Sequence, residues 1–230
     1  MNKRLQCIYS HVPPGIGVID VGTDHGYLPV ALAKHSYPGK LFASDINPGP
    51  LQAAKRSARQ SGVSERICFL LCDGLELCPP NEIDCIVIAG MGGDHICGIL
   101  DRAEWCMDER YLLILQPMTR AEVLRYWLSY NEFEILAEDL VEDGGTVYPV
   151  LLARFGGKTH LKDAELFCGS AALLAGHPLF PRVLKEQTLR FQKILEGYQH
   201  SHAARNPERE ALFRGILNEL TEMECYGERK

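Results

Sequence analysis

Between residues 15 and 155, short runs of apolar and β-branched residues alternate with segments of helical period, and this rhythm constrains the fold most tightly. The runs at 17–21, 40–45, 67–72, 84–89 and 111–115 are almost wholly apolar inside, as strands covered on both faces must be. Segments near 28–35, 49–61, 93–100 and 120–131 read as the helices between them. That order predicts an α/β fold with a parallel sheet and helices on both sides. After the fifth unit two strands, 134–140 and 147–154, follow each other across the turn Glu142-Asp143-Gly144-Gly145, so an antiparallel hairpin closes the sheet.

Gly156-Gly157-Lys158 ends this pattern, dividing the chain into an expected sheet domain, 1–157, and a helical domain, 158–230. In the tail, apolar residues recur at Leu184, Phe191, Ile194, Leu195 and Tyr198, then at Leu212, Ile216, Leu220 and Met223. Spacings of three and four predict two helices folded back on each other, the second opened by the cap Asn206 and by Pro207. No run of 18 apolar residues and no apolar segment after Lys3 and Arg4 marks a membrane span or signal peptide, so a cytoplasmic location is expected. Nine cysteines without a C-x-x-C pair read as reduced core residues, and no metal is expected. The net charge of −6 is uneven. Residues 1–155 carry 13 basic and 20 acidic side chains, and residues 156–230 carry 11 and 10, so the tail repels a polyanion less.

The loop Asp20-Val21-Gly22-Thr23-Asp24-His25-Gly26 follows the first strand, where open α/β sheets bind ligands. Gly22 and Gly26 allow a sharp turn and close approach to a ligand. A dinucleotide fingerprint has glycine where this chain has Asp24, and a carboxylate there would repel a pyrophosphate. S-adenosylmethionine (SAM) carries no phosphate and has a cationic amino group and sulfonium, so an acidic loop suits it. Asp45, 25 residues after Asp20, ends the second strand beside Ile46, at the position of a ribose-binding carboxylate. Asp73 and Gly74 close the third strand, where adenine would sit. Ala89-Gly90-Met91-Gly92 closes the fourth, on the methyl side. These positions, with His25, form the expected cofactor site. Seven strands ending in a hairpin separate class I methyltransferases from NAD-binding Rossmann domains by analogy of fold.

The strings Asp20-Val-Gly-Thr-Asp-His-Gly-Tyr-Leu-Pro29, Gly90-Met-Gly-Gly93, Leu113-Ile-Leu-Gln-Pro117 and Glu142-Asp-Gly144 before Tyr148 resemble the bacterial tRNA (adenine-22-N1)-methyltransferases of the TrmK type. Lys3-Arg4-Leu5 and Gly49-Pro50 add to the resemblance, which is close over residues 3–155 and loose in the tail. It implies a seven-stranded, Rossmann-like SAM-binding domain followed by a coiled-coil-like helical domain that helps hold tRNA. It also implies that Asp24 is the key catalytic carboxylate. Two departures stand out. The family reads Gln-Pro-Asn where this chain has Gln116-Pro117-Met118, and a bulky or basic residue followed by Tyr-Glu where it has Gly145-Thr146-Val147-Tyr148-Pro149.

The expected reaction is methyl transfer from SAM to N1 of adenine 22 in tRNA, leaving S-adenosylhomocysteine. No Asn-Pro-Pro-Tyr or Asp-Pro-Pro-Tyr follows the fourth strand, which favours a ring nitrogen over an exocyclic amine. Arg4, Gln116, Pro117, Tyr148, Lys158, Lys162, Arg182 and Lys185 are the expected substrate contacts, with Arg190 and Lys193 as further tail cations. Lys55, Arg56 and Arg59 read as a solvated helix face. His25 and His95 each follow an aspartate without a serine or cysteine to complete a hydrolase, and both read as local packing groups. A monomer is expected. A class I methyltransferase with another substrate, or a non-catalytic interaction module on the same fold, remain open at this level.

Overall fold

The computed structural model describes residues 1–200 and 206–227. They form two compact units, Met1–Thr159 and His160–Lys230. The first unit runs α1 (Lys3–His11), β1 (Val18–Val21), α2 (Tyr27–Lys34), β2 (Leu41–Asp45), α3 (Pro48–Gln60), β3 (Ile67–Leu71), β4 (Cys85–Gly92), α4 (Gly93–Asp101), β5 (Leu112–Thr119), α5 (Ala121–Tyr130), β6 (Phe133–Asp143) and β7 (Thr146–Phe155).

The seven strands form one sheet in the order β3-β2-β1-β4-β5-β7-β6. Strands β1 to β5 are parallel, and β7 lies antiparallel between β5 and β6. The order reverses between β1 and β4, so the loops after these strands diverge and leave a crevice. Strand residues alternate between two buried faces. Val18, Leu41, Ala43, Val87 and Ile114 pack with Ile8, Leu28, Leu32 and Ala58 from α1, α2 and α3. Ile19, Ile86, Ile88, Leu113 and Leu115, also buried, point the other way, where α4 and α5 cover the sheet.

Helix α1 is not among the expected elements, although Leu5, Ile8, Tyr9 and Val12 recur at helical spacing and pack against the sheet, with Ile8 fully buried. The Asn2 side chain caps it by accepting from the Leu5 N–H at 2.9 Å. Its position against β6 depends on a slip in register between Ile135 and Ala137. Before the slip Phe133 and Ile135 are buried; beyond it Glu138 and Leu140 take that role, so the alternation changes phase. Glu138 therefore meets Arg125 of α5 in an ion pair with both side chains almost fully buried, Nε donating to Oε1 at 2.7 Å. Asp139, on the opposite face, meets α1.

The first unit continues past the glycines at 156 and 157. The Thr159 carbonyl accepts from the Ser129 hydroxyl, and its own hydroxyl oxygen accepts from the Ile135 N–H at 2.6 Å. In the second unit α6 (Asp163–Cys168), α7 (Phe180–His200) and α8 (Pro207–Gly227) pack together. Thr188 donates to Glu224 while Tyr198 and Phe191 meet Phe213 edge-on, so α7 and α8 run antiparallel. Helix α6, which the tail's periodicity does not announce, adds Phe167 against Phe191.

The described cysteines carry free thiols. Burial pushes the thiols of Cys85, Cys97 and Cys106 up to about 12, which keeps them protonated and inert. The Cys225 side chain lies outside the described residues. Among the described residues no helix is long and apolar enough to cross a membrane.

Candidate active site

At the reversal of strand order the ends of β1, β2, β3 and β4 enclose a cavity of about 280 Å3. Of the residues expected to bind a cofactor, Gly22, Asp45, Ile46, Asp73, Gly74, Ala89, Gly90 and Met91 line it together. Val21, Ser44, Asn47, His95 and Ile99 complete the wall. Val21 belongs to the expected ligand loop, whereas Ser44, Asn47 and Ile99 carry no motif of their own; His95, expected to be a local packing group, reaches the cavity because it lies in the first turn of α4, directly after the fourth strand's loop.

Two carboxylates define the cavity's electrostatics. Asp45 is nearly buried, and the Asn47 N–H donates to its Oδ1 at 2.7 Å, which fixes its orientation. Asp73 is half-exposed and paired with Arg102 at 2.9 Å. The wall holds no lysine or arginine, so it lacks the cationic groups that hold a phosphate. Backbone conformation provides the space. Gly22 has φ of 71°, a conformation that favours glycine, and a β-carbon there would collide with the tip of the Met91 side chain.

Asp20, Asp24, His25, Gly26 and Gly92 are not part of this wall. Asp20 lies beneath the loop, where its Oδ2 accepts from the Thr23 hydroxyl at 2.6 Å. Burial pushes its carboxyl up from 3.8 to about 6; the Thr23 hydrogen bond opposes the rise and Asp45 adds to it. Asp24 has the opposite environment. Its side chain is 70% exposed. Its φ of 37° is a left-handed conformation that costs an ordinary residue about 1–3 kcal/mol, which explains why glycine is the usual occupant in dinucleotide loops. His25 Nε2 stands 3.7 Å from Asp24 Oδ1, and the His25 ring stacks on Tyr27 at 5.3 Å. Tyr27 is itself half-exposed and was not among the expected site residues.

On the other side of the sheet's carboxyl edge, Arg4 gathers residues far apart in sequence. Its Nε donates to Asp143 at 3.0 Å, its Nη1 donates to Gln116 Oε1 at 3.3 Å and contacts the Met118 sulfur, and its guanidinium lies 5.0 Å from the centre of the Tyr148 ring. Gln116 is buried, and its amide donates to the Pro117 carbonyl at 2.8 Å. Four of the expected substrate contacts, Arg4, Gln116, Pro117 and Tyr148, therefore converge, and the departure at Met118 falls among them. Lys158 is exposed and paired with Glu132 at 3.4 Å. In the second unit Lys162 and Lys185 are exposed, and Arg182 pairs with Glu186 one turn on at 2.8 Å.

Residues 1–151 match the family model described as Methyltransferase domain, the class that this strand order and strand-end cavity define. The chain is 34% identical over 205 residues to the Bacillus subtilis (strain 168) tRNA (adenine(22)-N(1))-methyltransferase, covering 88% of this chain and 83% of that protein. The crystal structure of the B. subtilis m1A22 tRNA methyltransferase TrmK matches with a TM-score of 0.86 and 29% identity over 97% of this chain and 98% of that one. Streptococcus pneumoniae Sp1610, in complex with S-adenosyl-L-methionine, matches with a TM-score of 0.81 and 29% identity over 96% and 98%. The chain belongs to the tRNA (adenine(22)-N(1))-methyltransferase family.

Proposed function

We propose that this protein transfers a methyl group from SAM to N1 of adenine 22 in tRNA. The observation that carries this reading is the acidic, lysine- and arginine-free cavity at the strand ends, which fits a cationic, phosphate-free nucleoside. Asp45 would accept from the ribose hydroxyls, Asp73 with Gly74 would meet the adenine of the cofactor, and Gly90 and Met91 would lie near the reactive end. When bound, SAM supplies a methyl group on a sulfonium and is released as S-adenosylhomocysteine.

Adenine N1 has its own lone pair at neutral pH, so no residue has to deprotonate it before it attacks the methyl carbon in line. Positioning therefore supplies much of the rate. N1 lies on the Watson–Crick edge, so the target base must leave any pairing. Tyr27, half-exposed and stacked on His25, offers that base a face. The exposed Asp24 carboxylate, on the loop that follows β1, would accept a hydrogen bond from N6 and stabilise the positive charge that grows on the ring. By analogy with a single oxyanion-hole donor this contributes about 3 kcal/mol, roughly a hundredfold in rate. The same carboxylate then takes the N6 proton when the cationic product loses one.

The Arg4, Gln116 and Tyr148 cluster is the proposed contact for the nucleotide around the target. The helical unit, with Lys162, Arg182 and Lys185, and with Lys158 just before it, is the proposed holder of the tRNA backbone. RNA read in this way is recognised by shape and phosphates. A tRNA substrate makes the cytoplasm the expected location.

The test is to incubate unmodified tRNA with the protein and SAM and to map the modified nucleotide by mass spectrometry. One methyl group at adenine 22, none on a transcript with guanosine 22, and a roughly hundredfold slower Asp24→Ala enzyme with near-normal SAM affinity are expected. Methylation elsewhere would overturn the substrate assignment, and unchanged turnover of Asp24→Ala would overturn the role of that residue.

A further inference from the structure

We propose that Cys7, His11 and Asp139 form a binding site for a divalent transition-metal ion, with zinc as the best match, which pins α1 to β6. Cys7 and His11 are four residues apart on α1 and so share one face of the helix. Asp139 reaches the same point from β6 because the register slip at Leu136 turns it towards α1. The Cys7 Sγ lies 3.3 Å and the His11 Nε2 3.2 Å from the same oxygen, Asp139 Oδ2, and the three ligand atoms are all within 4.8 Å of one another.

The donor set has the right chemistry. Zinc bonds of about 2.0–2.3 Å to sulfur, nitrogen and oxygen in a tetrahedron place neighbouring ligand atoms about 3.4 Å apart, close to the two separations found here. A thiolate, a carboxylate and a neutral imidazole together carry two negative charges, which a dication neutralises on displacing the thiol proton. All three residues are partly exposed, so an ion has an entry path and a fourth position for water. Mixed sulfur, nitrogen and oxygen donors disfavour magnesium and calcium, which prefer oxygen alone. None of the three residues belongs to the proposed cofactor wall, so the site is independent of the reaction proposed above.

The experiment is a titration of the full-length, chelator-treated protein with cobalt(II), followed by competition with zinc(II). The expected result is one equivalent bound per chain, a thiolate-to-cobalt charge-transfer band, its loss on adding zinc, and a higher thermal midpoint with metal present. Cys7→Ser should abolish the band, and His11→Ala should weaken binding by more than the ~100-fold that loss of an outer-shell partner costs. The metal-free Cys7→Ser protein should unfold at the wild-type temperature and keep wild-type SAM affinity, which shows that its fold is intact. Absence of the band in the wild-type protein, or its survival in Cys7→Ser through another thiol such as the exposed Cys68, would overturn the proposal.

Discussion

The two halves of the sheet's carboxyl edge are built by different rules. At β1 to β4 each strand delivers its functional residues within a few positions of its own end, so the cavity wall is a set of local motifs brought side by side by parallel pairing. At β5 to β7 nothing works alone. Arg4 reaches Asp143 across 139 positions and Gln116 across 112, and Cys7 reaches Asp139 across 132. The first half owes its chemistry to loop conformation; the second owes it to long-range contacts that hold only while α1 and the hairpin stay in place.

Breaking the buried pair in the second half should have the largest effect. Glu138→Gln removes the carboxylate that pairs with the buried Arg125 guanidinium, which should cost about 3–5 kcal/mol. In a chain of this size that lowers the thermal midpoint by roughly 2–4 °C per kcal/mol, measurable by calorimetry. Replacing both partners with apolar residues should recover most of the loss, because the double change removes the buried cation as well.

Next comes Asp20, beneath the cavity. Its carboxyl ionises near 3.8 when unfolded and near 6 when folded, so the native state binds the extra proton between these values. Stability from this group is therefore fully present below pH 3.8 and falls as pH rises to 6. Asp20→Asn should remove that slope, raising stability at pH 7 relative to the wild type by about 2–3 kcal/mol, as followed by urea unfolding across pH. An equal pH slope in both proteins would show that Asp20 is not the titrating group.

Asp45→Ala tests the cavity wall with little demand on stability. Loss of a charged acceptor should weaken SAM binding by about 1.5–3 kcal/mol, roughly ten- to a hundredfold by isothermal titration, with a thermal midpoint close to wild type. The smallest effect is expected for Arg4→Ala, whose contacts are partly solvated. It should lower kcat/KM for tRNA by about tenfold, the value of one charge-assisted contact, without changing SAM affinity. A change in SAM affinity there would erase the distinction between the two halves.

How much could be read in advance follows the same division. β1, β2, β4 and β5 were legible because burial on both faces leaves an apolar run, and the edge strand β3 keeps such a run although Cys68 and Leu71 are exposed. Gly22, Asp45, Asp73 and Gly90 were legible because acidic or glycine residues at successive strand ends are a local pattern. His95 read as a packing group and Ser44 as an ordinary strand residue, and only the meeting of the β2 and β4 ends at one cavity puts both in the wall. Helix α1 lies before the first strand, outside the strand–helix alternation that marked the other helices, although its stripe of Leu5, Ile8, Tyr9 and Val12 packs on the sheet.

The amino-acid sequence by itself thus determined the α/β rhythm, the closing hairpin, the acidic loop at Asp24 and the resemblance to an RNA-modifying family. Tertiary structure alone decided that Asp20 is buried while Asp24 is exposed, and that Glu138 turns to α5 while Asp139 turns to α1. The physical reason is that side-chain direction in a strand has a period of two, so one slip at Leu136 reassigns every later residue of β6. Such a slip is set by pairing with β7 and packing against distant helices, and no local pattern announces it.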